Sequence, residues 1–75
     1  MPTAFTLVNI ELGKDQEVLK GLKAINGVTE AYVCYGIYDI IAKIETKTDE
    51  ELKNIINREI VTIENVRSTL TIITI

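Results

Sequence analysis

The chain has 75 residues, with 8 basic and 11 acidic side chains, a net charge of −3 and a sequence pI of about 4.8. Apolar residues make up 47% of it, which is the composition of a globular domain and excludes a disordered segment. The basic residues form no stripe or patch. This argues against direct binding of nucleic acid, because neutralising phosphates is the main source of that affinity.

The inventory of side chains also excludes several kinds of site. One cysteine, Cys34, and no histidine give no basis for a disulfide framework or a zinc site, so we expect no metal and no cofactor. Charged residues interrupt every apolar run early, and the sequence therefore predicts neither a signal peptide nor a membrane-spanning segment. We expect a cytoplasmic protein without a membrane partner.

The first predicted element is a strand that ends at Leu12. Its apolar side chains alternate loosely between two faces, with Val8 and Ile10 beside Leu12 on one face and Phe5 and Leu7 on the other. A strand that is apolar on both faces is normally covered on both. We therefore expect a layer of protein on each side of it.

A helix and a hairpin follow the first strand. Residues 14–25 carry apolar side chains at i, i+4 and i+7, which is typical of an amphipathic helix, and Gly27 suits its left-handed end. Residues 28–35 and 38–46 are rich in β-branched and aromatic residues, so they predict two strands of a hairpin. Gly36 supplies the tolerance of positive φ that the turn between them requires.

The last predicted elements are a second helix and a fourth strand. Thr48 and Glu51 have capping-box spacing at the start of the helix, and residues 66–75 form the strand. Landmarks of the first half recur in the second half with a spacing about one helical turn wider. This predicts a duplicated β-α-β unit in which the second helix is the longer.

A duplicated unit in the order β-α-β-β-α-β predicts an α+β ferredoxin-like sandwich, with a four-stranded antiparallel sheet and two helices on one face. The helices leave the other sheet face open. Because the strands are apolar on both faces, we expect the sheet of a second subunit to pack there, as in dimeric α/β barrels. One domain over residues 1–75 accounts for the chain.

Asp39 is the residue that this fold does not explain, because a carboxylate at the head of an apolar strand needs either donors or a ligand. Its oxygens could accept hydrogen bonds from the N–H groups of its own turn. Alternatively, it takes the ammonium group of an amino acid while backbone N–H groups around Gly36 hold the ligand's carboxylate. Thr69 and Thr71 share a strand face and offer hydroxyl groups, although threonine is also a good strand former.

Catalytic groups are scarce. The chain has no histidine, no serine with a base partner and no glycine-rich phosphate loop, and helix capping explains the acids of residues 49–51. We therefore predict no catalytic residues and no enzymatic activity.

Several segments together resemble the effector-binding domain of the Lrp/AsnC (feast/famine) transcription regulators, which is called the RAM domain. They are residues 4–11 followed by Gly13, Ile25-Asn26-Gly27-Val28, Tyr35-Gly36-Ile37-Tyr38-Asp39 and Val66-Arg67-Ser68-Thr69-Leu70-Thr71. The resemblance covers essentially the whole chain. The family pattern often has an acidic residue where this chain has Ile37, a departure that concerns selectivity for the ligand's side chain.

The resemblance implies dimers that join through their sheets and assemble into rings such as octamers, with a small amino acid bound at the contacts between dimers. Carried over by position, the ligand site consists of Gly36, Ile37, Tyr38 and Asp39, with Thr69 and Thr71 as second candidates. Full-length family members carry an N-terminal helix-turn-helix domain, which this sequence does not show. The resemblance therefore implies a stand-alone module that senses amino acids alone or joins full-length regulators.

Other classes of protein fit the same order of elements. An ACT-like amino-acid-binding domain or a purely structural dimerisation module would have the same fold. In neither would Asp39 bind the ammonium group of a ligand. A small dimeric ferredoxin-like enzyme is a further alternative. The position of a bound ligand separates the RAM and ACT interpretations.

Overall fold

The computed structural model describes residues 2–74, which form an antiparallel sheet with its helices on one face. The strands are β1 (Thr3–Ile10), β2 (Val28–Val33), β3 (Ile40–Glu45) and β4 (Val66–Ile73). The helices are α1 (Asp15–Lys23) and α2 (Asp49–Asn54), and α2 continues into a π-helical turn (Ile55–Glu59). The order of strands in the sheet is β2-β3-β1-β4. The ferredoxin-like fold expected from the sequence is confirmed.

Strand β1 lies in the middle of the sheet and pairs with both β3 and β4. Its helix-facing side chains Ala4, Thr6, Val8 and Ile10 are all buried. They pack in one core with the apolar faces of the helices, because an amphipathic helix must bury its apolar stripe against the sheet. The prediction that Leu12 continues this face was wrong, since β1 ends at Ile10 and Leu12 is fully exposed.

The second helical segment begins at Thr48, whose Oγ1 accepts a hydrogen bond from the Glu51 N–H at 3.2 Å. The π-helical turn then carries a hydrogen bond from the Ile60 N–H to the Ile55 carbonyl at 3.0 Å. This wider turn places Ile55 and Ile60, five residues apart, on the same buried side. The segment over residues 49–59 is longer than α1, as the wider spacing of the second half predicted.

The hairpin between β2 and β3 has a longer connection than the sequence predicted. The two strands stop at Val33 and start again at Ile40, and the Cys34 N–H closes the loop by donating to the Asp39 carbonyl at 2.7 Å. Gly36 at the loop tip has φ +144°, a positive value as predicted. The loop therefore stands out from one end of the sheet.

The side of the sheet away from the helices carries an apolar surface, which we call the open sheet face. Its members alternate with the buried residues along each strand and lie opposite one another in register. They are Phe5, Leu7, Tyr32, Ile41, Leu70 and Ile72. None of the helices within residues 2–74 is long and apolar enough to cross a membrane.

Candidate functional site

Asp39 ties the hairpin loop to the end of β1. Its Oδ2 accepts a hydrogen bond from the Ile10 N–H at 2.9 Å, and its own N–H donates to the Val8 carbonyl at 3.0 Å. The β1–β3 register ends at Val8 and Ile40, and the β1–β4 register shifts between Asn9 and Ile10. The carboxylate therefore pairs with an N–H at the irregular end of β1, and this donor does not belong to its own turn.

Two adjacent clefts open beside Asp39, with volumes of about 350 and 320 Å³. Both are lined by Ile10, Asp39 and Arg67. The larger cleft continues along the turn between β1 and α1 and reaches Tyr35 in the hairpin loop. Among the described residues, the Ile10 N–H is the only protein donor to the Asp39 side chain, so the half-buried carboxylate keeps acceptor capacity on the cleft side.

The charges that line the larger cleft are mostly negative. Glu11, Asp15 and Asp39 contribute carboxylates, and Arg67 contributes a guanidinium group. The Arg67 Nε lies 3.8 Å from the Glu11 Oε1, and the two side chains are 66% and 57% exposed. Carboxylates bind ammonium groups and guanidinium binds carboxylates, so the cleft offers partners for both charged ends of a zwitterion.

The structure spreads the site residues expected from the sequence over three places. Gly36 and Ile37 lie at the exposed tip of the hairpin loop, where Ile37 is 87% exposed, and Tyr38 is half-buried beside them. Thr69 and Thr71 lie on the helix-facing side of β4, opposite Val8 and Thr6. The Oγ1 atoms of Thr6 and Thr71 are 3.1 Å apart. Of the expected residues, Asp39 lines the two clefts and the others do not.

The sequence analysis did not predict that Arg67 and Glu11 line the same cleft as Asp39. They come together because the end of β1 pairs with the start of β4, where the Glu11 N–H donates to the Asn65 carbonyl at 2.9 Å. In the expected fold the first and last strands are antiparallel neighbours. From this strand order one could have predicted that both residues lie beside the hairpin loop.

A separate cleft of about 440 Å³ lies at the opposite end of the sheet. It is lined by Asn26, Gly27, Glu45, Thr46, Lys47 and Glu51. None of the expected site residues lines it. Within residues 2–74 no group of three or more His, Cys, Asp or Glu side chains is arranged to hold a metal ion.

Comparison with known proteins shows to which protein family the chain belongs. The model of the Lrp/AsnC ligand binding domain matches residues 3–75. The chain therefore belongs to the Lrp/AsnC family and corresponds to the ligand-binding domain of its transcription regulators.

Individual relatives agree with this assignment. The HTH-type transcriptional regulator FL11 of Pyrococcus furiosus is 39% identical over 70 residues, which cover 93% of this chain and 46% of FL11. This chain thus spans about half the length of that regulator. The crystal structure of FFRP-DM1 is 43% identical and superposes with a TM-score of 0.94 over the whole of both chains.

A more distant neighbour is the transcriptional regulator NMB0573 of Neisseria meningitidis, solved as a complex with L-Met. It has a TM-score of 0.82 at 13% identity, over 99% of this chain and 49% of that one. At this identity the likeness concerns the fold alone.

Proposed function

We propose that this domain binds a small amino acid beside Asp39 and thereby modulates transcription regulators of its family. The observation that carries the proposal is a half-buried carboxylate that accepts one protein hydrogen bond and lines two clefts. Asp39 accepts the ammonium group of the amino acid. N–H groups of the turn around Gly36 are one candidate donor to its carboxylate, and a cationic side chain that lines the clefts is the other. The L-Met bound to NMB0573 supports an amino acid as the class of ligand.

The ligand site in this proposal lies at a contact between dimers. Gly36, Ile37 and Tyr38 form a protruding loop, so they enclose a ligand when a neighbouring dimer packs against them. Thr69 and Thr71 remain second candidates, because β4 is an edge strand that a neighbouring subunit can approach. The dimers would assemble into rings such as octamers.

We propose that the dimers themselves form through the open sheet face. Tyr32, Leu70 and Ile72 on this face are each about half exposed, and Phe5, Leu7 and Ile41 lie between them. Covering such a surface removes apolar area from water at about 25 cal/mol per Å². A chain of this size has only one small core, so the additional burial is a substantial gain.

Residues 1–75 act in this proposal as one RAM domain that senses amino acids alone or joins full-length regulators. It has no enzymatic activity and does not contact DNA directly. The naming of the relatives as transcriptional regulators supports a regulatory role. The open sheet face would equally suit a purely structural dimerisation module, and ligand binding separates the two functions.

A thermal-shift screen against the twenty common L-amino acids tests the function. Ligand at about 100 times its Kd stabilises the folded state by about 2.7 kcal/mol, so at least one amino acid should raise the melting temperature. The same screen on Asp39→Asn is the control and should show a much smaller shift. If none of the amino acids stabilises the wild-type protein, the sensor function is wrong and the dimerisation module replaces it.

A further inference from the structure

Arg67 and Asp39 both line the two clefts. Among the residues that the structure describes, Arg67 is the one cationic side chain lining either cleft, and it shares both walls with Asp39 and Ile10. The contact between Glu11 and Asn65 fixes its place, because this hydrogen bond joins the end of β1 to the start of β4. The hairpin loop and β4 thus bring the opposite charges of Asp39 and Arg67 to the same clefts.

We propose that Arg67 binds the α-carboxylate of the amino acid whose ammonium group Asp39 holds. The inference rests on the proposed function and adds a residue to its site. The ammonium and carboxylate groups of an amino acid are attached to one carbon atom, so the groups that bind them must border the same small volume. Asp39 and Arg67 do so, and the planar fork of guanidinium suits a carboxylate better than any other side chain.

Arg67 forms an ion pair with Glu11 at the cleft. The pair joins the Nε of Arg67 to the Oε1 of Glu11 at 3.8 Å between two largely exposed side chains. Exposed pairs of this kind contribute little to stability, so exchanging Glu11 for a ligand carboxylate costs little. Glu11 therefore competes with the ligand carboxylate for Arg67.

This arrangement predicts selectivity for the α-carboxylate itself. An amino-acid α-amide has the same side chain and ammonium group, but its neutral carboxamide cannot form the charge-assisted pair with guanidinium. Its affinity should be lower than that of the free amino acid, and this difference should depend on Arg67. A merely structural Arg67 would affect both compounds equally.

The test is a set of calorimetric titrations with each amino acid that stabilises the protein and with its α-amide. Arg67→Gln should lower the affinity for the free amino acid by about tenfold and change the affinity for the amide by less than about twofold. Arg58→Gln is the matched control, because it removes the other exposed arginine, which lies on the π-helical turn and lines neither cleft. It should change neither affinity. Glu11→Gln should raise the affinity for the free amino acid alone.

Three results would overturn the assignment. Unchanged affinity of Arg67→Gln for the free amino acid removes Arg67 from the site while leaving the amino-acid sensor intact. An equal loss for the amino acid and its amide makes Arg67 structural. If no amino acid binds the wild-type protein, the proposed function fails, and the role of Arg67 fails with it.

Discussion

Asp39 accepts a hydrogen bond that stabilises the fold, and it also lines two clefts. The hydrogen bond from the Ile10 N–H secures the end of β1, where the strand ladder becomes irregular. Ile10 itself is 8% exposed, so this N–H needs an acceptor. One carboxylate oxygen meets that need, and the remaining acceptor capacity faces the clefts, where a ligand's ammonium group can use it.

Two substitutions at this position separate the roles. Asp39→Asn keeps an oxygen that can accept from Ile10, so the free energy of unfolding should change by less than about 1 kcal/mol. Its affinity for the amino acid should fall about tenfold to a hundredfold, because a charge-assisted hydrogen bond contributes about 1.5–3 kcal/mol. Asp39→Ala removes both roles, and its free energy of unfolding should fall by about 1–3 kcal/mol.

Urea denaturation and calorimetry of the two variants measure these changes. A loss of stability in Asp39→Asn as large as that in Asp39→Ala, with normal affinity for the amino acid, would show that the residue serves only the loop.

At the scale of elements, β1 and β4 do the most to define the surfaces of the molecule. Helix-facing residues of β1 lie in the core and Val66 of β4 packs against it, while other residues of both strands form the apolar centre of the open sheet face. Leu7 pairs with Leu70, and Phe5 pairs with Ile72. Because adjacent side chains on a strand point to opposite faces, both surfaces follow from one register.

Leu70→Lys should weaken the dimer without unfolding the subunit. The side chain is 48% exposed in the single chain, so a lysine there costs little in the subunit but places a charge in the proposed interface. Val61→Lys is the matched control, because Val61 is also 48% exposed and lies outside the sheet. Sedimentation equilibrium should show dissociation of the Leu70 variant alone. Equal oligomeric states for both variants would place the interface elsewhere.

At the scale of the whole molecule, periodicity and the repeated halves were enough to predict the order of elements and the layers. They did not predict where β1 stops, because the Ile10 N–H is taken by Asp39, a residue distant in sequence. The π-helical turn also escaped prediction, since its buried isoleucines fit a helical pattern as well.

The candidate site was predicted in part. The sequence alone identified Asp39 as a candidate, because a carboxylate at the start of an apolar strand needs hydrogen-bond donors or a ligand. Arg67 and Glu11 became its neighbours through strand pairing, which brings the end of β1 to the start of β4. Local patterns contain no such information, and in the proposed function the roles of Gly36 and the two β4 threonines depend on contacts between subunits.

The central claim is that an amino acid binds at the Asp39 end of the sheet. Methyl NMR of isoleucine-labelled, deuterated protein tests it directly, because Ile10 lines both clefts and Ile37 lies in the hairpin loop, while Ile55 packs against Gly27 at the opposite end. On titration with the stabilising amino acid, we expect the methyl signals of Ile10 and Ile37 to shift and that of Ile55 to stay, and Asp39→Asn to weaken the response. Shifts centred on Ile55, or a full response in Asp39→Asn, would contradict the account.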